Sequence, residues 1–119
     1  MAPVVNMEDR LDRGKLLRIF VDEEDRWHGK PLYAAIVDAL KADGFAGATV
    51  LKGIEGFGSH KAVHSARAVD FSTNLPVLIE VFESEEKISA FIPALRSMMR
   101  EGLITLENVQ MMRIAKDEP

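Results

Sequence analysis

The run Pro76-Val77-Leu78-Ile79-Glu80-Val81-Phe82 constrains the fold more than any other stretch of the chain. Its apolar residues lack the period of two that marks a half-solvated strand, so it reads as a strand covered on both faces. The chain has 119 residues, enough for one domain with a modest core. Such a chain can supply one covering layer for that strand. The second cover is expected from a partner.

The flanking segments define the layer. Residues 15–21 alternate, with Leu17, Ile19 and Val21 on one side and Leu16, Arg18 and Phe20 on the other. Asp22-Glu23-Glu24-Asp25 ends this strand; consecutive acids point in different directions, which predicts a solvated turn rather than a cation site. Pro31 suits a first helical turn, Leu32, Ile36, Ala39 and Leu40 recur at helical spacing, and Gly44 stops the helix as its C′ residue. Residues 48–54 form a second strand, and residues 58–74 have no clean period, a length that calls for a functional explanation. Ser84 is a good N-cap followed by Glu85 and Glu86, and Ile88, Phe91, Ile92, Leu95 and Met99 form the stripe of a second helix in which Pro93 predicts a kink. Beyond Gly102, residues Ile104, Leu106, Val109, Met111 and Ile114 make a last strand or strand pair.

The order βαββαβ predicts a ferredoxin-like α+β sandwich, a four-stranded antiparallel sheet with two helices on one face. The domain spans residues 15–114, between a flexible extension at 1–14 and a tail at 115–119. Leu16, Phe20, Val50 and the apolar third strand are placed on the face without helices, and a homo-oligomer that buries this face is the natural cover.

Composition narrows the function. A formal net charge of −4 argues against nucleic acid and anionic membrane as partners. The chain has no cysteine, which excludes disulfides, thiolate metal sites and cysteine nucleophiles. No apolar run approaches the ~20 residues of a membrane span, and the first residues carry acids rather than a signal-type apolar core. The expectation is a cytoplasmic protein with no direct membrane insertion.

Gly53-Ile54-Glu55-Gly56-Phe57-Gly58-Ser59-His60-Lys61 closes the second strand with three glycines in six residues. Glycines let backbone N–H groups approach an anion, and His60, Lys61, His64 and Arg67 place cations nearby. The same glycines also suit a bulge or sharp bend. His60 and His64 have the spacing of helical metal ligands, but no helix signal or third ligand accompanies them, so no metal is assigned. Trp27, His28, Lys30 and Tyr33 cluster before the first helix, where they would stack a base or pack between subunits. The methionines at 98, 99, 111 and 112 read as core or interface filler. No nucleophile with an independent base stands out, so no catalytic residue is assigned and the chain is read as a non-enzyme.

Taken together, Gly29-Lys30-Pro31-Leu32-Tyr33, Gly44-Phe45-Ala46-Gly47-Ala48-Thr49-Val50, Gly53-Ile54-Glu55-Gly56-Phe57-Gly58, Leu75-Pro76 and Glu101-Gly102-Leu103-Ile104-Thr105-Leu106-Glu107 resemble the PII nitrogen-regulatory signal proteins. The chain looks most like a PII-like branch of that superfamily built on a domain of unknown function, and the resemblance spans residues 15–114. It implies a homotrimer that binds adenine nucleotide in clefts between subunits. It also implies that the 59–74 loop signals to a partner, a membrane transporter or an enzyme. Carried over position by position, it implies backbone phosphate contacts at Gly56, Phe57 and Gly58, with Ser59, His60 and Lys61 following. Thr49 would lie near the adenine, Lys30 would add charge, and His64 and Arg67 would belong to the partner loop. Two departures stand out. The Gly- and Lys-rich clamp of PII proteins is replaced by the short link Arg100-Glu101-Gly102, and Val77 and Leu78 follow Leu75-Pro76 without the usual lysine. Of AMP, ADP and ATP, the smaller two are therefore favoured, with no cofactor beyond such a ligand. Two alternatives stay open: a trimeric interaction module that binds no nucleotide, and an acylphosphatase-type enzyme for which Arg26 is the one candidate anion-loop arginine.

Overall fold

Alternation along the first strand sorts its side chains between two environments. Leu17, Ile19 and Val21 enter the core, while Arg18 and Phe20 on the opposite side stay half-exposed. The computed structural model describes residues 11–57, 64–65 and 74–114. Its elements in chain order are β1 (Asp12–Asp22), β2 (Arg26–Trp27), β3 (Lys30–Pro31), α1 (Leu32–Ala42), β4 (Thr49–Lys52), β5 (Glu55–Gly56), β6 (His64–Ser65), β7 (Pro76–Glu83), α2 (Glu85–Met98) and β8 (Leu103–Met111).

β4, β7, β1 and β8 form one antiparallel sheet in that order. Register follows the apolar pattern: Ile19 lies opposite Ile79 and Ile104, and Leu17 opposite Val81 and Leu106. This face carries both helices, and the predicted ferredoxin-like α+β architecture is the one observed. β1 starts at Asp12, three residues before the expected start at Lys15. The last segment is a single strand that ends at Met111, and Ile114 lies beyond it, exposed.

The helices are held by the ends that the sequence marks. Gly44, with φ 79°, donates to the Lys41 carbonyl, and Phe45 donates to the Leu40 carbonyl. This pair of bonds is a Schellman motif. It turns Phe45 inward, where its ring meets Phe91 edge-on at 5.3 Å between centroids. At α2 the Ser84 hydroxyl accepts from the Lys87 N–H at 3.3 Å. The α2 stripe buries Ile88, Phe91, Leu95 and Met98. Full burial of each such side chain stabilises by about 1.5–3 kcal/mol. Met98 takes the buried place expected for Met99, which is half-buried, and α2 runs continuously through Pro93.

Val50 is a correction. It lies opposite Ile79 and so shares the helix-side face, while Leu51, opposite Leu78, takes the uncovered face. β4 is shorter than the expected 48–54 strand. It ends at Lys52, and the chain bends at Gly53 before β5.

Candidate functional site

The glycine turn is built against Pro76. The Gly53 N–H donates to the Pro76 carbonyl at 2.7 Å. A Cβ on Gly53 would stand 2.6 Å from Pro76 Cγ, and one on Gly56 would stand 2.9 Å from it. Both distances are shorter than side chains tolerate, so close approach of the Pro76 ring explains these two glycines. Neither is among the described glycines with positive φ. The Gly53 N–H is thus committed within the chain. Beyond the bend, Gly56 lies opposite His64 and Glu55 opposite Ser65, a two-residue ladder that closes the near end of the long loop.

The acidic turn holds the far end of that loop. The Glu23 N–H donates to the Leu75 carbonyl at 2.9 Å, and the Leu75 N–H donates to Glu23 Oε2 at 3.4 Å. Glu24 N–H donates to Oδ1 of the buried Asn74 at 3.3 Å. Glu23 also pairs with Lys52 at the end of β4. Asp25 accepts from the Asp22 N–H at 3.0 Å through its carboxylate and from the Leu32 N–H at 2.7 Å through its carbonyl, tying the turn to α1. The predicted solvated turn is therefore a clamp on the loop base. Charge pattern alone could not disclose its partners, which lie about fifty residues away.

Between these supports lies a cleft of about 370 Å³. Gly56 and Phe57 line one side, and Phe20, Leu103 and Pro76 supply an apolar wall. Phe57 is 75% exposed. Asp22, Asp25 and Glu101 complete the lining, and no Lys or Arg is among the described residues that line it. The cleft thus offers a flat apolar surface and a backbone turn, but its own chain adds acids rather than cations.

The other expected positions divide. Thr49 opens β4, exposed, opposite Glu80 on the uncovered face. Lys30 lies outside the cleft and pairs with Asp38 of α1 at 2.7 Å; this hydrogen bond, with the Lys30 charge, holds the Asp38 carboxyl below its ordinary range. His64 is placed by its backbone in β6. Gly58, Ser59, His60, Lys61 and Arg67 lie outside the described residues. Among the described residues, no group of three or more His, Asp or Glu could hold a metal ion, and no helix is long and apolar enough to cross a membrane.

Sequence reasoning missed the hairpin β2–β3. His28 at φ 50° and Gly29 at φ 79° form its two-residue turn with positive φ at both positions, as a type I′ turn requires. Trp27 and Tyr33 both pack against the core of their own chain, which uses part of the surface expected for base stacking or subunit contact. The Trp27 and His28 rings meet edge-on at 4.1 Å. Arg26 is exposed in this hairpin and faces a separate groove with Trp27, His28 and Arg100. The turn after β1 is the clamp just described, not a loop shaped around an arginine.

Comparison with known proteins agrees with this architecture. A UPF0166 protein of Aquifex aeolicus (strain VF5) is 38% identical over 101 residues, covering 85% of this chain and 95% of the relative. The UPF0166 protein of Methanocaldococcus jannaschii is 38% identical over 95 residues, covering 79% and 87%. Among solved structures, a PII-like signaling protein of Thermus thermophilus superposes with a TM-score of 0.64 at 23% identity, covering 86% of this chain and 92% of that one. CPII of Thiomonas intermedia K12, a nitrogen regulatory PII-like protein bound to ADP, AMP and bicarbonate, superposes with a TM-score of 0.60 at 20% identity, covering 87% and 92%. These structures share the fold. The model of the DUF190 family, described as Uncharacterized ACR, COG1993, matches residues 14–111. The chain belongs to this family, that of the UPF0166 proteins, a branch with the PII-like fold.

Proposed function

We propose that the chain is a non-catalytic, PII-like regulator that binds an adenine nucleotide, AMP or ADP in preference to ATP, in clefts between the subunits of a homotrimer. The observation that carries this reading is the composition of the cleft. Gly56, Phe57 and Pro76 offer a turn and an apolar wall, yet the described lining holds no cation. A phosphate there needs positive charge from the segment after Phe57, where Lys61 stands, and from a second copy. A site completed in that way reports both ligand and assembly. The 59–74 segment then reads out the bound state to a transporter or enzyme partner. The related fold of CPII, bound to ADP, AMP and bicarbonate, supports adenine nucleotide as the ligand class and makes bicarbonate a second anion to examine.

Thermal denaturation with AMP, ADP, ATP and bicarbonate tests the proposal. At 100 times its dissociation constant a ligand stabilises the native state by about 2.7 kcal/mol, a clear shift in Tm. No shift with any nucleotide, with or without bicarbonate, would contradict it. The acidic lining of Asp22, Asp25 and Glu101 favours one second reading. In that reading the trimer binds no nucleotide and regulates its partner by protein contact alone.

A further inference from the structure

Register divides the uncovered face of the sheet into rows. Leu51, Leu78, Phe20 and Leu103 lie side by side across all four strands, with Leu51 46% and Leu103 56% exposed. The next row reads Thr49, Glu80, Arg18 and Thr105. Within it Arg18 Nε donates to Glu80 Oε2 at 2.9 Å, and Arg18 Nη1 donates to Glu107 Oε1 one row further along. A charged triad therefore sits in the middle of the sheet face, on the strand between β7 and β8, and not at its rim.

Covering this face removes the triad from water. A guanidinium has five N–H groups and each carboxylate about four acceptor positions, so the contacts within one chain leave donors and acceptors over. An apolar row alone fits another apolar row at several offsets. A buried charge is tolerated only where its hydrogen bonds are completed, so the polar row rejects most of those offsets. Because it carries both signs, the row is complementary to a second copy of itself. An apolar or single-signed partner leaves part of it unmatched.

We infer that the Arg18–Glu80–Glu107 triad is the specificity determinant of self-association, accepting a second copy of this chain only in the arrangement that matches polar row to polar row. The inference rests on the reading above that copies of the chain cover the sheet face. Native mass spectrometry and light scattering of the full chain test it, with circular dichroism to verify folding. Wild-type protein should show one stoichiometry. The variant Arg18→Met/Glu80→Met/Glu107→Met should still assemble, but into a mixture of stoichiometries. Arg18→Lys, which keeps the charge but loses the planar fork, should weaken assembly by at least about 10-fold. A triple variant with the single wild-type stoichiometry, or Arg18→Lys with wild-type affinity, would overturn the inference while leaving self-association intact. A wild-type chain that stays monomeric at micromolar concentration would overturn the underlying reading and this one together.

Discussion

Gly53 and Pro76 are locked together at the base of the long loop: the Gly53 N–H meets the Pro76 carbonyl at 2.7 Å, and any Cβ at residue 53 would stand 2.6 Å from Pro76 Cγ. Gly53→Ala should therefore destabilise the fold by about 1–3 kcal/mol, the usual cost of overpacking. Adding Pro76→Ala should recover part of that loss, because the two changes share one contact. Urea denaturation of the two single variants and the double variant measures the coupling. Strict additivity would show that the contact is not what requires glycine.

Asn74 is the one buried polar side chain among the described residues, and its Oδ1 accepts from the Glu24 N–H at 3.3 Å. Asn74→Ala should cost about 1–2 kcal/mol through the lost bond and the unpartnered N–H. It should also speed proteolysis after Lys61 and Arg67, since this bond fastens the far end of their segment. Limited trypsin digestion beside a denaturant titration checks both effects.

The Lys30–Asp38 pair predicts a specific pH response. Its hydrogen bond holds the Asp38 pKa below the ordinary value. A depressed carboxylate pKa adds stability that is present above the unfolded-state value of about 3.9 and is lost as pH falls through the folded-state value. Lys30→Met should move the Asp38 titration back up toward its ordinary range. At neutral pH stability should barely change, because the pair is exposed. Carboxyl NMR titration of both proteins reads this directly, and an Asp38 curve that does not move would refute the pairing.

The uncovered sheet face gives a fourth expectation. Leu103 ends the apolar row and is 56% exposed in the single chain. Leu103→Glu should leave far-UV circular dichroism unchanged and shift sedimentation toward monomer. Unchanged sedimentation would place the self-association surface elsewhere.

What could be read from the sequence follows from how local each signal is. Gly44 and Ser84 were legible because a cap is written within a few residues of the helix it ends. The strand at β7 was legible because both of its faces are apolar. Val50 was placed on the wrong face because Val50 and Leu51 are both apolar in a four-residue strand, and only pairing with Ile79 and Leu78 decides between them. The hairpin and the ladder of Gly56 with His64 were hidden because two-residue strands have no periodicity. At the site, the turn at Gly56 and Phe57 was found from its glycines. The acids that share its cleft, Asp22, Asp25 and Glu101, come from two distant connections and meet only in the fold.

Isothermal titration calorimetry of AMP, ADP and ATP against the full chain at fixed salt, with and without bicarbonate, tests the regulator reading most directly. Saturable binding of AMP or ADP tighter than ATP, weakened at least about 10-fold (roughly 1.4 kcal/mol) by Phe57→Ala and by Lys61→Ala, is the predicted result. Absence of saturable binding to all three nucleotides in both conditions would contradict it and leave a protein-contact module in its place.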